Sequence, residues 1–346
     1  MRKIFYIVGA SSAALFAPIA AYAHEVYVLD SKAVAQDMAA QSPNPFSAYF
    51  GNEHNFFFWA FVSFVTVSTI MAASTFHVFE RALGPTFLYI KRFAHPVTRI
   101  TIGLSLMSFG WYGGLFGPEL SFSQLFAGGA ELMGNALIVF GAAIVLGLYT
   151  RVIALMGIAL YSIVAITHGT YLLTYADHLG AYLLLFLLGS GRFSLDEQFG
   201  LGRLAGPMQR VAKRYAYLAF PIMRVLFGFG IMYASIYAKY IHSQLALDVV
   251  LTYNLTEYFP FDPLFVVLGA LIIEFAAGAM ILLGIEIRWT ALFLLFWLTL
   301  SLLYFQEALW PHIVLFGLGL ALFAHGYDRY SLEGHFLKYG HREPVM

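Results

Sequence analysis

Pro96-Val-Thr-Arg99-Ile-Thr-Ile-Gly103 returns later in the chain as Pro221-Ile-Met-Arg224-Val-Leu-Phe-Gly228, a shift of 125 residues from Arg99 to Arg224. Two more motifs follow the same course. Gly147-Leu-Tyr-Thr-Arg151 returns as Gly284-Ile-Glu-Ile-Arg288, and Arg192-Phe-Ser-Leu-Asp196 as Arg329-Tyr-Ser-Leu-Glu333. Both are shifted by 137 residues (Arg151 to Arg288, Arg192 to Arg329), so the second copy has gained 12 residues near its start. Three matches in one order predict a duplicated unit, and a site is most simply sought between its halves.

Of the 346 residues, 60% are hydrophobic and 11% charged, where an ordinary soluble domain carries roughly 25% charged residues. Apolar runs of roughly 20 residues recur, each long enough to cross a hydrocarbon core of about 30 Å. The expected fold class is all-α: a polytopic membrane helical bundle of two parallel four-helix repeats plus one extra N-terminal span. Its lipid-facing surface makes membrane lipid the first partner. No basic patch with interleaved aromatics points to nucleic acid. With no cysteine there is no thiolate metal site, iron–sulfur cluster or covalently attached haem. No histidine pair has ligand spacing either, so no haem or metal is expected.

Arg2 and Lys3 precede an apolar stretch that ends in Ala21-Tyr22-Ala23, the pattern of a cleaved secretory signal over residues 1–23. A segment at 24–55 then lies outside, in the periplasm of a bacterial inner-membrane protein. Nine spans follow, at roughly 56–76, 98–116, 130–148, 151–169, 178–190, 217–238, 264–284, 288–304 and 312–325. Arg and Lys then gather in alternate connections, with only Lys32 and Lys239 on the other side, which predicts a cytoplasmic C-terminus. The expected organisation is an extra helix and cytoplasmic loop at 56–95 and a first repeat at 96–200. A cytoplasmic linker at 201–220, a second repeat at 221–334 and a tail at 335–346 complete it. Four spans per copy is an even number, so the copies share one orientation.

Carboxylates and imidazoles crowd the predicted outer mouth, while the other side holds mostly arginine and lysine. Glu274 stands apart, ten residues before Gly284, or about 15 Å of helix from the inner end of its span. An ionisable group at that depth is either a functional site or a carboxylic acid bonded across a helix interface. Glu131 is its shallower counterpart in the first copy. His178 and His312 open the last span of each copy and can exchange protons with a ligand. His168 and Asp177, at the same mouth, are candidate cofactor-binding groups. The motif arginines suit helix ends and the inner lipid surface, an architectural role.

Glu274-Phe-Ala-Ala-Gly278, the turn Gly284-Ile-Glu-Ile-Arg288 and the closing Gly189-Ser-Gly-Arg192-Phe-Ser-Leu-Asp196 together resemble the DoxX/DoxD family of four-helix membrane proteins. The resemblance covers about residues 96–196 and 221–334. It implies a membrane subunit linked to oxidative chemistry, as in thiosulfate:quinone oxidoreductase, with quinone as cofactor and a periplasmic redox subunit as partner. The chain departs from the family pattern in its tandem duplication and its extra helix. Three functions stay open: a quinone-linked redox protein, a transporter or permease, and a noncatalytic anchor for an outer partner docking on residues 24–55.

Overall fold

The computed structural model describes residues 29, 34, 36–37, 39–191, 193–200, 206–258 and 261–337. The expected signal at 1–23, the motif residue Arg192 and the tail beyond 337 lie outside the described residues. Within them the regular structure is helical, apart from one isolated bridge between Gly114 and Ser121. The principal helices are α1 (Phe56–Lys91), α2 (Ala94–Tyr112), α3 (Ala130–Leu146), α4 (Thr150–His168) and α5 (Ala176–Leu188). They continue as α6 (Gly206–Tyr215), α7 (Ala219–Ile236), α8 (Ser243–Thr252), α9 (Pro263–Leu283), α10 (Ile287–Phe305) and α11 (Ile313–His325). Four helical stretches are long and apolar enough to cross a membrane: Thr150–Leu188, Met208–Ile241, Pro263–Leu283 and Ile287–Phe305. This marks a membrane protein.

The stretch from Thr150 to Leu188 is a hairpin, because α4 packs along α5. Gly169 at φ 61° ends α4, and a 3-10 turn over Gly169–Tyr175 reverses the chain. Gly157 faces the Tyr182 ring, and the Tyr161 hydroxyl donates to Leu172 O at 2.8 Å.

Local chemistry explains most boundaries. The Asn55 side chain accepts from the N–H groups of Phe57 and Phe58 and opens α1, and Asp262 caps α9 ahead of Pro263. Gly147 and Gly284 close α3 and α9 in the left-handed conformation, at φ 71° and 75°, where an added Cβ would be strained. Two residues later Tyr149 and Glu286 are also left-handed. Their N–H groups donate to Asp196 Oδ1 at 3.1 Å and Glu333 Oε2 at 2.6 Å.

The motif arginines fasten helix ends. Arg151 donates to the carbonyls of Phe186 and Leu188, and Arg288 to those of Phe323 and His325. Arg99 reaches Ser190 O and Phe193 O. Arg224 bonds Ile281 O at 2.9 Å, Leu282 O and Asp328 Oδ2 at 2.8 Å. Final carbonyls of a helix have no partner within it, and in an apolar setting these guanidinium groups supply the missing donors.

Glycines set the close crossings. α2 meets α3 through Gly103 and Gly141, and α7 meets α9 through Gly228 and Gly278. Small residues let two backbones approach where lipid gives no hydrophobic drive for association. Contacts between the two halves are reciprocal. α5 lies on α7, with Gly180 against Met223 and Leu226, while α11 lies on α2, with Gly317 against Thr101.

Several stretches expected as connections contain helix. α1 runs on to Lys91 with Pro85 inside it, where a span ending near 76 and a cytoplasmic loop were expected. Its second half is fixed by packing: the Phe87 ring lies under the Arg288 guanidinium, and Glu80 accepts from the Tyr327 hydroxyl at 2.9 Å. The expected linker at 201–220 contains α6, an amphipathic helix with Lys213 and Arg214 in its last turn. The connection between α7 and α9 is not a simple loop. It holds a π-helical turn at Tyr237–Ile241 and then α8. Of the expected 24–55 segment, Leu29 and Val34 pack on Leu245 and Val249 of α8, and Asp37 sits beside Asp248. Burial and that neighbouring carboxylate raise the Asp37 pKa to about 6.

Candidate functional site

A cavity of about 140 Å³ lies where α5, α7, α9, α10 and α11 converge. That is close to the space needed by one six-membered ring, since a dry cavity of about 150 Å³ holds benzene. Its walls are mostly apolar or aromatic, with Ile231, Ala234, Leu294, Leu298 and Leu315 among them.

Three acid–base pairs line or border this space. Asp177 stands in the first turn of α5, where the helix dipole favours an acid, with His178 next to it. Their contact, His178 Nδ1 to Asp177 Oδ1, is 3.2 Å long, and both side chains are at most 3% exposed. Phe109 and Phe116 pack on the His178 ring at 5.7 and 4.9 Å between centroids. Just before α11, Trp310 stacks on Tyr112 and opens a 3-10 turn whose second residue is Pro311 and whose last is His312. His312 Nδ1 faces Ala308 O at 3.0 Å, and its Nε2 lies 3.3 Å from the buried Glu307 Oε2. Glu307 Oε1 accepts from the Ser301 hydroxyl at 2.9 Å.

The third pair sits deeper. Lys239 Nζ lies 2.9 Å from Glu274 Oε2, and the Trp297 indole N–H donates to Glu274 Oε1 at 3.2 Å. The π-helical turn after α7 brings this about. Widening the helix by one residue per turn rotates Lys239 inward, where it is 6% exposed. Lys239 therefore does not belong to an outer solvated segment, as its charge suggests in the sequence.

Four of the six expected site residues, Glu274, His178, His312 and Asp177, line this one cavity. Two do not. Glu131 is exposed in the first turn of α3. His168 is exposed at the end of α4, its ring beside the Thr167 hydroxyl. Both stand at helix ends, and neither lines the cavity. Sequence reasoning missed Lys239, Trp297 and the cavity tyrosines Tyr171, Tyr175 and Tyr237. The one available signal was a lysine closing an otherwise apolar run.

Towards the rim, Tyr171 and Tyr175 both donate to Glu119 Oε1, at 2.9 and 2.5 Å. A second acidic group lies at the opposite, arginine-rich end. There Glu80, Glu286 and Glu333 bring carboxylate oxygens within 4.8 Å of one another. Tyr327 and the Glu286 N–H bond into that group, so its role in joining helix ends is accounted for.

Comparison with family models, with curated proteins and with solved structures finds no match to this chain. The functional reading therefore rests on the cavity itself.

Proposed function

We propose that this chain is an inner-membrane, redox-associated protein whose cavity receives the ring headgroup of a quinone and exchanges protons with it. The observation that carries the reading is the gathering of Lys239–Glu274, Asp177–His178 and His312–Glu307 around one ring-sized, largely apolar space. A quinone needs an apolar slot and a few polar groups that can hold or release protons. The motif resemblance to the DoxX/DoxD family points the same way, with a periplasmic redox subunit as the partner that would exchange electrons.

The test is direct binding. The purified chain in lipid nanodiscs should bind a short-tailed benzoquinone saturably, read as quenching of the Trp297 fluorescence. Ala234→Phe, which fills the cavity, should weaken that binding at least ~10-fold, the effect of losing roughly 1.4 kcal/mol. Unchanged binding in Ala234→Phe would move the quinone elsewhere.

The architecture proposed with it is two like-oriented four-helix copies, α2 to α5 and α7 to α11 without α8, preceded by α1 as an extra span. Nine helices then cross the membrane, while α8 lies at the histidine end and α6 at the arginine end. The reciprocal contacts of α5 with α7 and of α11 with α2 support copies related by an axis along the membrane normal. The arginine-rich end is assigned to the cytoplasm. Reporter fusions after residues 210 and 340 should read cytoplasmic, and fusions at 45 and 250 external. A C-terminal fusion reading external would defeat this orientation.

One feature favours transport as the second reading. The helix that carries Lys239 changes from α to π geometry beside the cavity, and irregular backbone beside an internal cavity is common in transporters. Uptake of a small solute by vesicles containing the pure chain, with no quinone binding, would select that reading.

A further inference from the structure

We propose that the cavity selects the hydroxyl-bearing, reduced form of its ring ligand, with His178 Nε2 as the acceptor that reads the hydroxyl. This rests on the quinone reading above and adds which oxidation state the site recognises. His178 and Asp177 are each 2% exposed. With Asp177 accepting and the imidazole neutral, the contact at His178 Nδ1 places the ring proton on Nδ1. Nε2 is then a lone pair. Among the described residues, neither His178 Nε2 nor Asp177 Oδ2 has a hydrogen-bond partner, although both are buried.

This end of the cavity therefore offers two buried atoms, His178 Nε2 and Asp177 Oδ2, that no donor among the described residues meets. His312 cannot fill the same role, because both of its nitrogens already face oxygens, Ala308 O and Glu307 Oε2. At the other end, Lys239 and the Trp297 N–H are turned onto Glu274. A buried acceptor left unmet is costly, and a site of that kind discriminates strongly against a ligand lacking the matching donor. A quinone carbonyl is an acceptor and meets His178 Nε2 lone pair to lone pair. A hydroquinone hydroxyl donates to it.

The full chain in nanodiscs is titrated anaerobically with trimethylhydroquinone, trimethylbenzoquinone, the dimethyl ether of the hydroquinone, and benzylamine. Binding is read by Trp297 quenching. The hydroquinone should bind at least ~10-fold more tightly than the quinone or the ether, the scale of one buried hydrogen bond. His178→Phe keeps a ring of similar size without the acceptor. It should reduce the hydroquinone-to-quinone preference to within about 3-fold. If His178→Phe does not fold, the four-ligand series on the unaltered chain decides alone. Equal or tighter binding of the quinone would overturn the proposal and leave the quinone reading standing. Tighter binding of benzylamine would overturn it in favour of a cationic ligand. Binding of none of the four would defeat both.

Discussion

Lys239→Met is expected to destabilise the protein by roughly 3–5 kcal/mol, the cost of removing one partner from a buried ion pair. Among the described residues, the Trp297 N–H would then be the remaining hydrogen-bond partner of Glu274 in an apolar setting. The chain should then respond with lower folded yield and a lower thermal midpoint in detergent. Lys239→Met combined with Glu274→Leu should recover most of that loss. Apolar replacement of a whole buried pair is often neutral or stabilising, because neither charge has to be desolvated. The double variant should also lose quinone-ring binding if the pair serves the ligand. Thermal unfolding of the two single variants and the double decides the structural part. Additive losses in the double would mean that Lys239 and Glu274 do not depend on each other.

The second large effect is steric. A Cβ at Gly228 would stand 2.5 Å from Gly278 O and 2.5 Å from Leu282 N, both backbone atoms that cannot swing aside. Gly228→Val should therefore force α7 and α9 apart and cost about 3 kcal/mol or more. Gly269→Ala, in the partner helix α9 but with nothing within 4 Å of the added carbon, is the control. It should change stability by no more than about 1 kcal/mol, since alanine is the better helix former. Size-exclusion profiles and thermal midpoints of the two variants make the comparison. Wild-type behaviour in Gly228→Val would exclude the close crossing.

What could be read from the sequence follows from the range of the forces involved. Gly284 and Arg288 mark a turn because a left-handed C-cap and a helix-end arginine are local devices, and the structure uses both residues in that way. His178 and His312 could be singled out because each opens the last helix of a motif-bounded unit. Their meeting at one cavity depends on how the helices pack. The rotation of Lys239 has no local signature, since a π-helical turn differs from an α-turn by one residue and is selected by its surroundings. Glu131 and His168 show the converse. Their places at helix ends could be read, but the direction they face depends on which neighbour each helix meets. The continuation of α1 past residue 76 to Lys91 falls in the stretch expected as a cytoplasmic loop. The Glu80 bond to Tyr327 spans 247 positions, far beyond any sequence window.

The reciprocal seating of α5 on α7 and α11 on α2 bears on how the chain matures. Thr101 and Gly317, which meet in that packing, are separated by 216 positions from 101 to 317. During synthesis α2 must therefore wait for almost the whole remaining chain before its packing face is covered. The surfaces of the first half that receive α7 and α11 stay bare in the bilayer until the second half arrives, open to other nascent helices and to membrane proteases. A chain stopped between the halves would present two unfilled seats, each shaped for a helix from another copy. Under the proposed two-copy architecture, two such half-chains could fill each other's seats, and the tandem arrangement would join in one polypeptide what a single-copy form would have to achieve by pairing.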